Sequence, residues 1–215
     1  MREREDCWYK DVCTRETCDA CIRFMEMSYL MDNSGIPKKK QMPSSLTAGI
    51  DINEFEYLAD IKNDIVNWVN EGNNLYICSE FTVNGKTRWA IKLLLKYFDS
   101  VWAGNGFRAR GYFVHTPTFL TMLKDFDNED IKKLKLMLTT VDVVVWDDIA
   151  GSKLSDYDIS QLLIYVDQRN LQELANIYTG NIVTMDNLIE CVGNRLASRI
   201  WQYSDIVQFK AKDKR

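Results

Sequence analysis

The sequence predicts an α/β protein built on a mostly parallel five-stranded sheet with helices on both faces. Five short apolar segments alternate with amphipathic helical segments from residue 74 onward, which is typical of a parallel sheet whose connections are helices. The chain has 215 residues, of which 46% are apolar and 12% aromatic. That length and composition suit one medium domain with a packed core and a small appendage.

Charge and hydropathy indicate which partners and which cellular compartment the chain suits. The net charge is −4, so contact with nucleic acid requires a local basic patch. No apolar run approaches the length of a membrane span. The N-terminus is charged and leads into no apolar segment of the signal-peptide kind. We therefore expect a cytoplasmic protein, in the cytoplasm of a bacterial host, with reduced cysteines.

Four of the six cysteines fall within fifteen residues near the N-terminus. Clustered thiols in a reducing compartment more often bind zinc than form disulfides. The sequence therefore predicts a closed, structural zinc site, with four free thiols on a helical segment as the alternative. The predicted zinc ligands are Cys7, Cys13, Cys18 and Cys21.

Composition and the positions of glycine and proline divide the chain into three predicted regions. Residues 1–32 form a small helical module that ends in a helix over 22–32. Residues 33–52 contain Gly35, Pro37 and Pro43 and are predicted to be a linker. Residues 53–215 form the main domain, which begins with an amphipathic helix over 53–71.

Strands and helices of the main domain are placed by apolar runs and capping residues. The predicted strands are 74–79, 111–115, 141–146, 175–179 and 205–209. The predicted intervening helices are 88–98, 117–126, 129–139, 156–168 and 184–201. The predicted N-caps are Thr116 (with Pro117 at the first helical position), Asn128, Ser155 and either Thr184 or Val183.

A phosphate-binding loop is predicted between the first strand and the next helix, in the stretch SEFTVNGKTRW. Loop and helix N–H groups point at phosphates there, and the helix dipole favours anions. Lys86 would reach the β- and γ-phosphates, Thr87 would ligate Mg²⁺, and Gly85 permits close backbone approach. The predicted nucleotide contacts are Asn84, Gly85, Lys86, Thr87, Arg88 and Asp147. Glu80 and Val83 stand where a loop of this type, called Walker A, normally has glycines.

An apolar strand that ends in two acids lies 61 residues after Lys86. This Walker B pattern predicts that Asp147 binds Mg²⁺ and that Asp148 orients or deprotonates the attacking water. Aspartate is one methylene shorter than the glutamate common at the second position, so slower hydrolysis is an open alternative. A buried strand followed by a polar turn is the structural alternative.

Two further elements complete the predicted site. Asn181, after the fourth strand, is placed to sense the γ-phosphate. The block Asn194–Trp201, NRLASRIW, carries two arginines that would complete the site of a neighbouring subunit. Arg199 is the preferred finger and Arg195 the second choice, with surface ion pairs as the alternative.

Together these segments resemble the DnaC/DnaI-type AAA+ helicase loaders, including phage versions. The residues that carry the likeness are NLYIC, NGKTRWAIKLL, VDVVVWDDIA, IYTGN and NRLASRIW, within residues 73–209. SGIPKK and the cysteine cluster are similar to segments ahead of the core in such loaders. The resemblance implies an AAA+ core with sheet order 5-1-4-3-2 and no C-terminal lid. It also implies that the core binds ATP together with Mg²⁺.

The resemblance also implies a function and partners. It implies an ATPase that oligomerises on a hexameric replicative helicase, contacts it through residues 1–32, and places it on single-stranded DNA. We expect phage DNA replication as the context. The candidate DNA contacts are Phe107, Arg108, Arg110, Lys132, Lys133 and Lys135, while a solvated charged face is the alternative for the lysines. His115 is expected to be structural.

Two alternatives stay open at this stage. A nucleotide-dependent binding module would retain the fold without turnover, because Glu80, Val83 and Asp148 depart from the usual pattern. A transposition-type regulatory ATPase would bind duplex DNA and a transposase instead of a helicase. The cysteine module favours the loader over the latter.

Overall fold

The computed structural model describes residues 7–13, 21–41, 45–82, 84–124 and 129–212. Its centre is one sheet of five parallel strands in the order β2-β3-β4-β1-β5. Read from the other edge, this is the 5-1-4-3-2 order that the sequence predicted, so that prediction is confirmed. The strands are β1 Asn74–Cys78, β2 Gly111–His115, β3 Val143–Asp147, β4 Ala175–Gly180 and β5 Asp205–Gln208.

Helices cover both faces of the sheet. They are α1 Ile22–Asp32, α2 Ile52–Asn63, α3 Ile65–Asn70, α4 Lys86–Val101, α5 Thr116–Met122, α6 Glu129–Thr140, α7 Asp156–Leu171 and α8 Met185–Trp201. Alternate strand residues face opposite cores. Leu75 and Ile77 pack with α1–α4 on one face, whereas Tyr76 and Cys78 pack with α5–α8 on the other. Burial on both faces explains the near-continuous apolar strands of the sequence.

The helix predicted over 53–71 is divided in two. Asp64 leaves the helical region, with φ −111° and ψ 29°, and separates α2 from α3. The break directs α3 so that Ile65, Trp68 and Val69 are all buried. Gly72 then ends the segment with φ +68°, and a Cβ there would lie 2.4 Å from the Glu173 carbonyl oxygen.

Helix starts follow the sequence with one exception. Ser155 accepts a hydrogen bond from the Asp158 N–H, and Thr184 accepts one from the Asn187 N–H, so both predicted caps are confirmed. The Thr116 cap prediction is wrong, because β2 runs directly into α5 and His115 occupies the cap position. Asn128 lies outside the described residues.

Helix α8 is interrupted at Gly193, whose φ of +75° and ψ of 158° are not helical. Two helical pieces meet there, and the second carries Arg195 and Arg199. Left-handed backbone of this kind is accessible to glycine and costly for other residues.

The segment ahead of β1 packs against the main domain. Met27, Leu30 and Met31 of α1 share one hydrophobic cluster with α4. The Phe113 N–H donates to the Ser34 carbonyl at 2.6 Å, beside the β2 edge. The boundaries of the three predicted regions, after residues 32 and 52, stay predictions. Within the described ranges, no helix combines the length and hydropathy needed to cross a membrane.

Candidate nucleotide-binding site

The loop between β1 and α4 has the backbone that a phosphate loop needs. Gly85 precedes α4 with φ +97°, a conformation that favours glycine. A Cβ at this position would also lie 3.3 Å from the Leu46 side chain. Glycine at position 85 therefore allows the loop to adopt this conformation. It also leaves room for the Leu46 side chain to approach the loop. Glu80 is exposed, and Val83 lies outside the described residues.

Lys86 is held inside the loop. Its side chain donates to the Phe81 carbonyl at 2.8 Å and to the Asn84 Oδ1 at 3.2 Å. The residue is only 8% exposed, and burial lowers the pKa of its ammonium group. The carboxylates Asp148 and Asp147 act against that shift. The structure thus brings together Asn84 and Lys86, two of the predicted nucleotide contacts.

Thr87 and Thr179 converge on one carboxylate oxygen. Each hydroxyl donates to Asp147 Oδ1 at 2.7 Å. Hydroxyl and carboxylate oxygens are the hard ligands that Mg²⁺ takes beside substrate phosphates. The Thr87–Asp147 pair therefore fits the metal position that the sequence predicted, on the evidence of its donor set.

Asp148 has an unusual backbone for a residue with a side chain, with φ +59°. Aspartate is among the few residues that tolerate this region. Its N–H donates to Thr179 Oγ1 at 3.0 Å, and its carboxylate packs on Gly151, where a Cβ would lie 2.4 Å from Oδ2. The hydrogen bond to Thr179 and the contact with Gly151 thus hold Asp148 beside Asp147.

Thr179 is the site residue that sequence reasoning missed. The sequence placed the sensor at Asn181, which lies half-buried one residue beyond β4. The parallel register pairs Val145 with Ile177 and Trp146 with Tyr178, so the next step sets Thr179 beside Asp147. That register is the signal that would have identified it.

The two arginines of the NRLASRIW block differ in environment. Arg195 is exposed. Arg199 donates from Nε to Asp167 Oδ1 of α7 at 2.7 Å, with 36% and 31% of the two side chains exposed. That ion pair raises the pKa of the guanidinium. Arg88, predicted to contact nucleotide, lines a cavity on the outward side of α4.

The six candidate DNA contacts include several that are already engaged. Arg108 and Arg110 both pair with Asp142. Lys132 pairs with Glu129 at 2.6 Å. Phe107 is 48% exposed, and its ring meets Tyr29 edge-on at 5.5 Å.

The last two candidate DNA contacts are lysines, and the single histidine, which was expected to be structural, lies at the end of β2. Lys133 Nζ lies 3.4 Å from Asn33 Oδ1, and Lys135 is half-buried on α6. His115 is exposed at the end of β2, and its Nδ1 lies 2.8 Å from Thr118 Oγ1.

The predicted zinc ligands are only partly described. Cys7 and Cys21 are half-buried and Cys13 is exposed, whereas Cys18 lies outside the described residues. Among the residues that the structure describes, no three histidine, cysteine or acidic side chains gather to hold a metal. The described part of the chain therefore does not show a zinc site.

Comparison with known proteins supports the fold. No protein-family model matches the chain, and no curated protein sequence matches it. Solved structures do match. A crystal structure of the DnaC helicase loader is 22% identical, with a TM-score of 0.57, over 68% of this chain and 86% of that one. A crystal structure of DnaI is 18% identical, with a TM-score of 0.63, over 83% and 96%.

Initiator structures match as well. AMPPCP-bound DnaA from Aquifex aeolicus is 16% identical, with a TM-score of 0.61, over 82% of this chain and 51% of that one. This chain therefore has the α/β fold of the solved DnaC, DnaI and DnaA structures. Its likeness to the DnaC and DnaI helicase loaders extends over most of their length.

Proposed function

We propose that this protein is an ATP-dependent loader of a hexameric replicative helicase onto single-stranded DNA in phage replication. One observation carries the proposal: Thr87, Asp147 and Thr179 converge at the end of β3 beside a buried Lys86. The fold around this arrangement is similar to that of solved helicase loaders. The helicase and the DNA are inferred from that likeness and from the motifs. The phage context is inferred from the degenerate phosphate loop, in which Glu80 and Val83 replace glycines.

Each residue has a defined task in the proposed ATPase. Lys86 transfers its two hydrogen bonds from the loop to the β- and γ-phosphates. Thr87 and Asp147 would hold Mg²⁺, which when bound would supply positive charge to the phosphates. Asp148 orients the attacking water and accepts its proton, so that ATP and water give ADP and phosphate. Thr179 holds Asp147 and the Asp148 backbone through its hydroxyl, and Asn181, one residue beyond β4, would sense the γ-phosphate.

Self-association completes the proposed site. Arg199 would stabilise the transferring phosphoryl group of a neighbouring protomer, and Arg195 is the second choice. The Arg199–Asp167 pair must open for this to happen. A modest opening cost is expected, because the pair is partly exposed and such pairs are weak.

A second candidate is a nucleotide-dependent helicase-binding module without turnover. The packing of Asp148 against Gly151 favours it, because a short, sterically fixed acid has little freedom to reach water. Tight binding of ATP without phosphate release would select this function.

Zinc binding by Cys7, Cys13, Cys18 and Cys21 stays part of the proposal on their spacing alone. Metal analysis of the purified protein tests it directly, with Cys18→Ser and Cys21→Ser as variants and Cys191→Ser as the control. Absence of stoichiometric zinc from protein purified without chelators would remove the zinc module.

The proposed function is tested by co-purification with candidate hexameric replicative helicases in ATP and in ADP. We expect a stable complex in ATP that Lys86→Ala and Asp147→Asn weaken. Failure to bind any such helicase in either nucleotide would remove the loader proposal. Binding to a transposase instead would select a transposition-type ATPase.

A further inference from the structure

A cavity of about 420 Å³ lies along the side of α4 that faces away from the sheet. The sheet side of α4 buries residues such as Leu93, Leu94 and Phe98. The cavity side carries Arg88, Lys92 and Asp99 among its lining residues. The rest of the lining comes from residues 8–9, from α1, from residues 39–41 and from α2.

The cavity concentrates positive charge. Six of the described lining residues are cations: Lys39, Lys40, Lys62, Arg88, Lys92 and Lys96. Asp99 is the only acid among the described lining residues, and its carboxylate already accepts from Arg23 and Tyr9, each at 2.7 Å. The whole chain has a net charge of −4. An excess of cations at one place on an acidic chain indicates an anionic ligand.

The cations are close enough to affect one another. Burial lowers the pKa of Lys92, and the neighbouring Lys62 lowers it further. A multivalent anion placed between Lys62 and Lys92 offsets the repulsion between them. Phosphate groups supply that charge in a small volume.

Beneath the cations the cavity is apolar. Met27, Met31, Ile91 and Leu95 line it, and methionine side chains adapt to flat rings. Trp8, which also lines the cavity, has a buried indole N–H without a hydrogen-bond partner in the described part of the chain. Buried indole N–H groups usually find an acceptor, so this donor is open to a polar atom of a ligand in the cavity.

We propose that this cavity binds an organic phosphate that joins a flat heterocyclic base to phosphate, as a free nucleotide or as one residue of a single strand. Its volume lies within the range of small-molecule sites. An apolar surface for the base and cations for the phosphates are the features shared by such sites. An acidic peptide would satisfy the charge but offers no flat ring for the methionine and leucine surface.

This site is distinct from the phosphate loop. It shares only Arg88 with the predicted nucleotide contacts and extends to Asp99, about 16 Å further along the helix axis at 1.5 Å per residue. The proposal stands whether or not the phosphate loop hydrolyses ATP.

Binding is tested with the full chain without other nucleotide, and Lys86→Ala reports any binding to the phosphate loop. Fluorescence anisotropy measures a labelled twelve-residue oligo-dT, and unlabelled dTMP competes. Calorimetry with dTMP alone measures the free nucleotide. Lys92→Gln and Lys39→Gln remove cavity charges, and Lys39 is an exposed residue whose change leaves the core intact. Lys153→Gln is the matched control, since Lys153 is exposed and lies outside the cavity.

We expect each cavity variant to weaken binding about tenfold, as lost charged hydrogen bonds do, and the control to change it less than twofold. Competition by dTMP identifies a free nucleotide as a sufficient ligand. Oligo-dT binding without such competition identifies the strand as the source. The proposal is overturned if neither ligand binds, or if the cavity variants bind like the control. It is also overturned if polyglutamate competes as well as oligo-dT, or if Lys86→Ala abolishes binding.

Discussion

The hydroxyl of Thr179 donates to Asp147 Oδ1 at 2.7 Å and links the ends of β4 and β3. The same hydroxyl accepts the Asp148 N–H at 3.0 Å, so one side chain supports both acids of the Walker B pattern. Thr179 is 2% exposed. Its loss removes a hydrogen bond to Asp147 and leaves the Asp148 N–H without this acceptor.

Thr179→Val tests this link, because valine keeps the volume and removes the hydroxyl. We expect the free energy of unfolding to fall by about 1–3 kcal/mol, the usual cost of an unsatisfied buried donor. Nucleotide affinity in Mg²⁺ should fall, while affinity in EDTA should change little. Denaturant unfolding and titration with a fluorescent ATP analogue measure both. Thr179→Ser retains the hydroxyl as the control, and unchanged Mg²⁺ dependence in the valine variant would contradict the assigned role.

Gly151 positions Asp148, because a Cβ there would lie 2.4 Å from the carboxylate. Gly151→Ala must therefore displace the Asp148 side chain. We expect ATP turnover to fall roughly tenfold to a hundredfold, as misplaced catalytic groups do, with ATP affinity retained. Phosphate release and equilibrium binding separate the two quantities. Ser152→Ala, at the exposed neighbouring position, should leave both unchanged; equal turnover in the two variants would contradict the prediction.

Lys86 is a buried cation whose folded-state pKa lies below the usual 10.5, chiefly because burial removes it from water. Between the folded-state pKa and 10.5 the unfolded chain binds more protons, so stability rises with pH through that window. Lys86→Met removes the charge and should abolish this rise. It should also leave the unfolding midpoint at neutral pH no lower than that of the wild type.

ATP with Mg²⁺ should stabilise the wild type and not the Lys86→Met variant. Thermal unfolding across pH, with and without nucleotide, measures both effects. Lys153→Met, at an exposed lysine outside both the phosphate loop and the cavity, is the control that should keep its nucleotide response. A marked loss of stability on Lys86→Met would show that its bonds to Phe81 and Asn84 outweigh the desolvation of the charge.

Local patterns predicted much of this protein, and non-local pairings did not follow from them. Consecutive residues define the apolar strands, the Gly85–Thr87 loop and the acid Asp147 that ends a strand. The sheet and these site residues were therefore predictable. Thr179 depends on the register of two strands 32 residues apart. The break at Asp64 and the division of α8 at Gly193 reflect packing that helical periodicity does not encode.

The ion pair of Arg199 also could not be predicted from local patterns, because its partner Asp167 lies on a different helix, 32 residues earlier. If Arg199 acts on a neighbouring protomer, Asp167 competes for it within its own chain, and Asp167→Asn should raise ATP turnover at protein concentrations that favour assembly. The free energy of unfolding should change by less than about 1 kcal/mol, because both side chains are about one-third exposed.

Turnover measured against protein concentration distinguishes this competition from a structural effect. Arg199→Ala should lower turnover per protomer at high concentration and matter little at low concentration, where neighbours are absent. Asp167→Asn should then have no effect in the Arg199→Ala background, since the competition has been removed. Asp186→Asn, at an exposed acid in the first turn of α8, controls for the change in charge. Equal stimulation by Asp167→Asn with and without Arg199 would show that Asp167 acts by another route.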